Sequence, residues 1–230
     1  MTAHPVPAPM PRYAHVLFDL DGTLIDSAPA ILASYHDAFA AAGREAVVPI
    51  DASIVGPPLL ETLQMLAGTT DAGVIDALAA GFKASYDSTG YRQTAAYEGV
   101  GEMLQRLTDA GCTLSIATNK RLLPTRLILA HLGWAGHFAA VYALDLFEPR
   151  LPHKAAMIAR LLQDRAIARD QAVYVGDRSE DGESADANGL PFIAATWGYG
   201  SLSRAEMAPH WHAVASPAAL ADAIVSAPQD

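Results

Sequence analysis

Five short, almost continuously apolar runs alternate with helix-like segments along this chain, and that alternation limits its fold more than any other feature. The runs span residues 15–19, 113–118, 141–144, 172–176 and 192–195. Between them, apolar residues recur at helical spacing over 101–110, 123–132 and 153–164. Strands that are apolar on both faces are typical of a parallel sheet with helices on each side. We therefore predict an α/β fold built on a Rossmann-like parallel sheet.

One crossover between the predicted strands is far longer than the rest. Residues 27–111 separate the first strand from the second, and a structureless loop of that length is rare in a compact domain. Apolar residues follow helical spacing there, with Tyr35 and Phe39 on one stripe and Leu78 and Phe82 on another. No strand-like alternation stands out. We therefore predict a small helical domain inserted after the first strand.

These patterns divide the chain into three parts. We expect residues 1–12, which are rich in proline, to form a short extended tail. Residues 13–27 and 97–230 together form the α/β core, which is discontinuous in sequence. Residues 28–96 form the helical domain that interrupts it.

Composition and charge narrow the class of protein further. Apolar residues make up 51% of the 230 residues, which is enough for a packed core. The formal net charge is −10 and no basic stripe is present, so we expect no binding to nucleic acid or to anionic membranes. No apolar run approaches the roughly 18 residues of a membrane span, and the single cysteine, Cys112, excludes an internal disulfide. We expect a cytoplasmic protein, either a monomer or a homodimer.

Polar side chains follow three of the predicted strands at the point where each strand ends. They are Asp19 and Asp21 after the first strand, Thr118 and Asn119 after the second, and Asp177 and Asp181 after the fourth. Because the carboxyl ends of parallel strands meet at one edge of a sheet, we expect these side chains to converge on one crevice. Close carboxylates repel and need a compensating cation, and oxygen ligands without a cysteine or histidine cluster favour Mg²⁺. Lys154, which opens the helix before the fourth strand, would add a positive charge.

Each of these motifs also has a simpler interpretation. Asp21 followed by Gly22 is common in ordinary turns, and so is Thr118 followed by Asn119. Acidic residues over 177–181 are favoured at a helix N-terminus by the helix dipole. It is the conjunction of all three motifs at one sheet edge that favours a functional site.

Taken in this order, the residues resemble the motifs of the haloacid dehalogenase superfamily. Asp19-x-Asp21-Gly-Thr resembles the first motif of this family, and Thr118 resembles the second. Lys154 resembles the third motif, and Gly176-Asp177-x-x-x-Asp181 resembles the fourth. The helical insert resembles the type 1 cap of this family. A closer likeness to phosphoglycolate-phosphatase-like hydrolases rests on Lys154-Ala-Ala-Met-Ile, Gly176-Asp177-Arg178 and Thr196-Trp197-Gly198-Tyr199-Gly200. One departure is Arg121, which follows Lys120 where proline is frequent in relatives.

The resemblance implies roles for the two aspartates of the first motif. Asp19 would be the nucleophile that attacks phosphorus and forms an aspartyl-phosphate. Asp21 would protonate the departing alkoxide and then deprotonate the water that hydrolyses this intermediate. Members of the family that cleave carbon–halogen or carbon–phosphorus bonds lack the second aspartate. Asp21 therefore favours the hydrolysis of phosphate esters.

The resemblance also implies a set of binding residues. The metal site would comprise Asp19, Asp21 through its backbone carbonyl, and Asp177, with Asp181 beside them. The phosphoryl oxygens would be bound by Thr118, Asn119 and Lys154. In this family the cap covers the leaving group, so we expect selectivity to lie in the insert. Lys83 is the first candidate contact for a carboxylated substrate, and its alternative is a solvated surface lysine.

The function that follows is a Mg²⁺-dependent phosphatase acting on a small phosphorylated metabolite. The ester could be phosphoglycolate-like, a sugar phosphate or a nucleotide. A phosphomutase of the same fold is one alternative, although Gly22 followed by Thr23 resembles hydrolases more than sugar phosphomutases. A catalytically silent phosphate-binding regulatory protein is another. Such a protein should have lost Asp19 or Asp21, and both are present.

Overall fold

The structure is a computed structural model that describes residues 11–199, 202–203 and 205–225. Residues 1–10 of the predicted tail lie outside these ranges, and Gly200 does too. The strands in the described part are β1 (His15–Phe18), β2 (Ile25–Asp26), β3 (Ala95–Ala96), β4 (Thr113–Thr118), β5 (Phe138–Ala143), β6 (Ala172–Gly176), β7 (Phe192–Ala195) and β8 (His212–Val214). The α-helices there are α1 (Ala28–Ala41), α2 (Leu59–Ala67), α3 (Ala72–Tyr86), α4 (Val100–Asp109), α5 (Leu122–His131), α6 (Lys154–Asp164), α7 (Ser179–Ala187) and α8 (Pro217–Val225).

Six of the strands form one parallel sheet in the order β5, β4, β1, β6, β7, β8, which confirms the predicted fold class. The two faces of this sheet belong to separate apolar clusters. Val16 and Phe18 pack into one cluster and Leu17 into the other, and all three are fully buried. Burial on both faces explains why β1 is a continuous apolar run.

The predicted strands agree closely with the observed ones where a strand is central. The bounds of β4, β6 and β7 are as predicted, while β1 ends one residue earlier, at Phe18. β5 begins three residues earlier than predicted, at Phe138, and ends one residue earlier, at Ala143. β8 was not predicted, because a strand of only three residues is too short to show a clear apolar run.

Three helices occupy the insert, and two of them, α1 and α3, follow the predicted stripes. Tyr35 of α1 packs against Phe82 of α3 with ring centroids 4.6 Å apart. The third helix, α2, begins directly after Pro58. The prediction that the insert is helical does not hold at Ala95 and Ala96, which form a short strand antiparallel to β2. No helix in the described ranges is long and apolar enough to cross a membrane.

Candidate active site

The candidate site lies where β4, β1 and β6 end side by side. β1 is flanked by the other two strands, with Phe18 level with Val175 of β6. The next residue, Asp19, donates its backbone N–H to the carbonyl of Val175 at 2.9 Å. Thr118 ends β4, and Asp177 follows β6 directly. The structure therefore brings the three predicted strand tips together.

Three buried carboxylates form a cluster at this edge of the sheet. They belong to Asp19, Asp177 and Asp181, and one oxygen of each lies within 4.8 Å of the others. Asp181 stands in the first turn of α7, as its spacing predicts. Its Oδ2 accepts hydrogen bonds from the backbone N–H groups of Asp177 at 3.1 Å and Arg178 at 3.0 Å. These bonds fix the Asp181 carboxylate against the end of β6.

A buried lysine faces this cluster. Lys154 is the first residue of α6, and only 4% of its side chain is exposed. Its Nζ lies 3.3 Å from Asp19 Oδ1 and also donates to Asp181 Oδ1. Burial lowers the pKa of Lys154, but the carboxylates of Asp181 and Asp19 outweigh burial and raise this pKa well above its ordinary value. The ammonium group is therefore charged.

The charge balance of the cluster favours a further cation. Burial raises the pKa of Asp19 to about 8; Lys154 opposes that shift, and the carboxylates of Asp181 and Asp177 add to it. Lys154 pairs with Asp19 and Asp181 and brings a single positive charge to this group of three buried carboxylates. A divalent cation on these oxygens would add positive charge there, and an all-oxygen ligand set suits Mg²⁺.

Two glycines let the backbone pack directly against Asp177. At Gly22 the φ angle is +83°, and a Cβ there would lie 2.2 Å from Asp177 Oδ2. At Gly198 a Cβ would lie 1.8 Å from the carbonyl oxygen of Gly22. Trp197 supports the same contact, because its Nε1 donates to the carbonyl of Thr23 at 2.9 Å. The segment after β7 therefore fixes the loop that follows β1.

We expect Gly198→Ala to destabilise the protein and to lower its activity. The added methyl group must displace the Gly22 carbonyl, and overpacking of this kind typically costs about 1–3 kcal/mol. Gly136→Ala is the matched control, because a Cβ at Gly136 meets no atom within 4 Å. Urea unfolding measures both variants against the wild type. Equal unfolding free energies for the two variants would contradict this packing.

The carboxylate of Asp21 contacts a different pair of side chains. Lys120 Nζ lies 2.9 Å from its Oδ1 and 3.2 Å from its Oδ2, and Ser27 Oγ donates to Oδ1. The resemblance implies a metal contact only for the backbone carbonyl of Asp21, so its side chain is left for other chemistry. The contact of Lys120 with Asp21 was not predicted from the sequence. The only signal was its position directly after Asn119 at the tip of β4.

Thr118 and Asn119 are both buried at the tip of β4. Thr118 Oγ1 accepts a hydrogen bond from the backbone N–H of Lys120 at 3.2 Å. Asn119 Nδ2 donates to the carbonyl of Gly56 at 3.4 Å and to Glu180 Oε1 at 3.1 Å. Asn119 thus joins β4 to a turn of the insert and to α7.

Two adjoining cavities lie between the insert and the core. The first has about 50 Å³ and is lined by Asp21 and Lys120 from the core and by Tyr35 from the insert. The second has about 160 Å³ and shares Asn119 with the first. Lys83 is exposed and lines this second cavity. The structure therefore places Lys83 near the site without bringing it to the acidic cluster.

Comparison with known proteins agrees with this geometry. The family model of haloacid dehalogenase-like hydrolases matches residues 16–195, which is most of the chain. The chain is 37% identical over 186 residues to phosphoglycolate phosphatase of Xanthomonas campestris pv. campestris, covering 80% of this chain and 83% of that one. It is 32% identical over 216 residues to a 5'-nucleotidase of Pseudomonas aeruginosa, covering 94% and 97%. The crystal structure of a predicted phosphatase from Clostridium acetobutylicum matches with a TM-score of 0.81 and 30% identity, covering 91% and 97%.

The chain therefore belongs to the haloacid dehalogenase-like hydrolase family. Within that family it is a phosphatase, an enzyme that hydrolyses phosphoric monoesters.

Proposed function

We propose that this phosphatase depends on Mg²⁺ and works through an aspartyl-phosphate on Asp19. The observation that supports this most is the burial of Asp19 beside both the Lys154 ammonium and the carboxylates of Asp177 and Asp181. Phosphoryl transfer requires positioning and neutralisation of charge more than elaborate bond-making. A fixed carboxylate next to a cation meets both requirements.

The proposed reaction has two displacements at phosphorus. Asp19 forms a bond to phosphorus while the bond to the leaving oxygen breaks, and Asp21 gives its proton to that oxygen. Asp21 then takes a proton from the water that attacks the aspartyl-phosphate, which releases inorganic phosphate and restores Asp19. Among the described residues, the acidic cluster comprises the carboxylates of Asp19, Asp177 and Asp181 without that of Asp21, which supports this division of roles.

The phosphoryl oxygens would be bound by three buried groups around Asp19. These are the hydroxyl group of Thr118, the residue Asn119 directly after β4, and the ammonium group of Lys154. Because Lys154 Nζ is already 3.3 Å from Asp19 Oδ1, a phosphoryl group attacked by Asp19 would lie within its reach.

The residues present fit a Mg²⁺ ion. Asp19, Asp177, Asp181 and the backbone carbonyl of Asp21 would hold it, since all four offer oxygen atoms and the three carboxylates are buried with oxygens within 4.8 Å of one another. When bound, the ion supplies neutralisation of the phosphoryl charge.

We expect EDTA to abolish the hydrolysis of an aryl phosphate, Mg²⁺ to restore it, and Ca²⁺ to restore it poorly. Ca²⁺ prefers more ligands at longer distances, which would disturb the placement of the phosphoryl group. Mg²⁺ should also raise the thermal unfolding temperature of the wild type without substrate, but not that of Asp177→Asn. Full activity in the presence of the chelator would contradict the metal site.

We further propose that residues 28–96 act as a cap that selects the leaving group. The residues around Asp19 act on a group that every phosphate monoester shares, so discrimination must come from what covers the other end of the substrate. Tyr35 and Phe82 of the insert line the cavity beside Asp21, and Lys83 is our candidate contact for a carboxylated leaving group. The relatives named above act on phosphoglycolate and on 5'-nucleotides. A panel of phosphoglycolate, sugar phosphates and nucleotides, assayed with Mg²⁺, would identify the substrate class.

A further inference from the structure

Lys120 is a buried cation to which the mechanism above gives no task in the reaction. Only 6% of its side chain is exposed. Its Nζ contacts both carboxylate oxygens of Asp21, at 2.9 and 3.2 Å. Among the residues that the structure describes, no other basic side chain forms an ion pair with Asp21. The two buried lysines of the site therefore serve different carboxylates, since Lys154 faces Asp19 and Asp181.

The two donors to Asp21 engage its two carboxylate oxygens unequally. Oδ1 accepts from Ser27 Oγ and takes the shorter contact with Lys120. Within the part of the chain that the structure describes, Oδ2 has the longer contact with Lys120 and no other hydrogen bond. The carboxyl group is thus held at one oxygen while the other is less occupied.

Lys120 is itself fixed by the insert. Its Nζ lies 4.7 Å from the centroid of the Tyr86 ring, within the range of a cation–π contact. Tyr86 stacks on Phe82 with ring centroids 5.4 Å apart. The next residue, Arg121, donates two hydrogen bonds to the carboxylate of Asp87, one of them at 2.8 Å. Two consecutive residues after β4 therefore contact two consecutive residues at the end of α3.

We propose that Lys120 is a positioning residue that holds the carboxyl group of Asp21 in the orientation needed for proton transfer, and that Tyr86 keeps Lys120 in place. This inference rests on the proposed function, because it takes Asp21 as the acid and base. Lys120 acts here through Asp21 and not on the phosphoryl group. A misplacement of about 1 Å at a reacting group can lower a rate by roughly 10²-fold. The loss of Lys120 should therefore be visible in the proton-transfer steps.

Two phosphate monoesters with different leaving groups test this role. Dinitrophenyl phosphate releases a stable anion that needs no proton, whereas phenylethyl phosphate releases a basic alkoxide that needs one. The ratio kcat/KM reports the steps up to departure of the leaving group. For Lys120→Met we expect kcat/KM to fall about 10- to 100-fold with the phenylethyl ester, through kcat rather than KM, and less than about 3-fold with the dinitrophenyl ester.

Three further variants complete the experiment. Asp21→Asn is the reference and should show the same dependence on the leaving group, with a larger loss. Tyr86→Leu should show a milder dependence on the leaving group without changing any charge. This variant tests the proposal even if Lys120→Met does not fold. Arg160→Met removes an exposed ion pair with Asp164 and should change neither rate.

The possible outcomes separate the inference from the function on which it rests. Equal losses with both esters in Lys120→Met would overturn the inference, because Lys120 would then act on the phosphoryl group itself. The inference also fails if Asp21→Asn shows the dependence while Lys120→Met and Tyr86→Leu do not. If kcat/KM of Asp21→Asn falls equally with both esters, the proposed acid role of Asp21 is refuted.

Discussion

Asp19→Asn should lose nearly all phosphatase activity, by roughly 10⁴-fold or more, and still fold. The amide has almost the shape of the carboxylate, but it does not attack phosphorus and it removes a charge that faces Lys154. The substitution also relieves repulsion with the buried carboxylates of Asp177 and Asp181. We therefore expect the unfolding free energy to stay the same or to rise. Steady-state kinetics and urea unfolding on the same preparation would measure both effects.

The control for this substitution is Asp170→Asn. Asp170 is exposed and precedes β6, so it lies at the opposite end of that strand from Asp177. Its replacement should leave both activity and stability unchanged. An Asp19→Asn variant with the turnover of the Asp170→Asn variant would exclude Asp19 as the nucleophile.

Lys154→Met should lower both activity and stability. The ammonium group is buried between two carboxylates, and breaking a buried pair by removing one partner typically costs about 3–5 kcal/mol. The loss of a donor to the phosphoryl oxygens should lower kcat by about 10²–10³-fold. Stability should be measured by urea unfolding in EDTA, because a bound metal ion would offset part of the uncompensated negative charge.

A double variant separates the two effects of Lys154→Met. Adding Asp181→Asn removes one of the carboxylates that the lysine neutralises, so the unfolding free energy should recover in part. Activity should not recover, because Asp19 still lacks its cation. If the double variant were no more stable than Lys154→Met alone, the ion pair with Asp181 would not be the source of the lost stability.

The sheet and its acidic cluster could be predicted because both follow from local pattern. A strand buried on both faces, such as β6, is a continuous apolar run, and the side chain after it must lie at the carboxyl edge of a parallel sheet. The position of Asp177 follows from this pattern alone. The position of Asp181 follows because it lies about one helical turn after Asp177, in the first turn of α7.

The parts that could not be predicted depend on contacts between distant segments. The partner of Lys120 is Asp21, which is remote in sequence and becomes a neighbour only because β4 pairs with β1. The strand pair of β2 and β3 has only two residues on each side, too few to show an alternating pattern. The orientation of Lys83 likewise depends on how α3 packs against α1, and the apolar stripe of α3 fixes only which side faces inward.

Trapping the phosphorylated enzyme tests the central claim most directly. In Asp21→Asn, dinitrophenyl phosphate should still phosphorylate the enzyme, since its leaving group needs no proton, but the base that hydrolyses the aspartyl-phosphate is gone. The reaction is run with Mg²⁺ and then quenched. Borohydride reduces an aspartyl-phosphate to homoserine, and mass spectrometry locates the homoserine in the chain. We expect about one phosphoryl group per chain and homoserine at position 19, and neither in the Asp19→Asn variant. Release of dinitrophenolate without a covalent phosphoryl group, or with the group on another residue, would contradict the account.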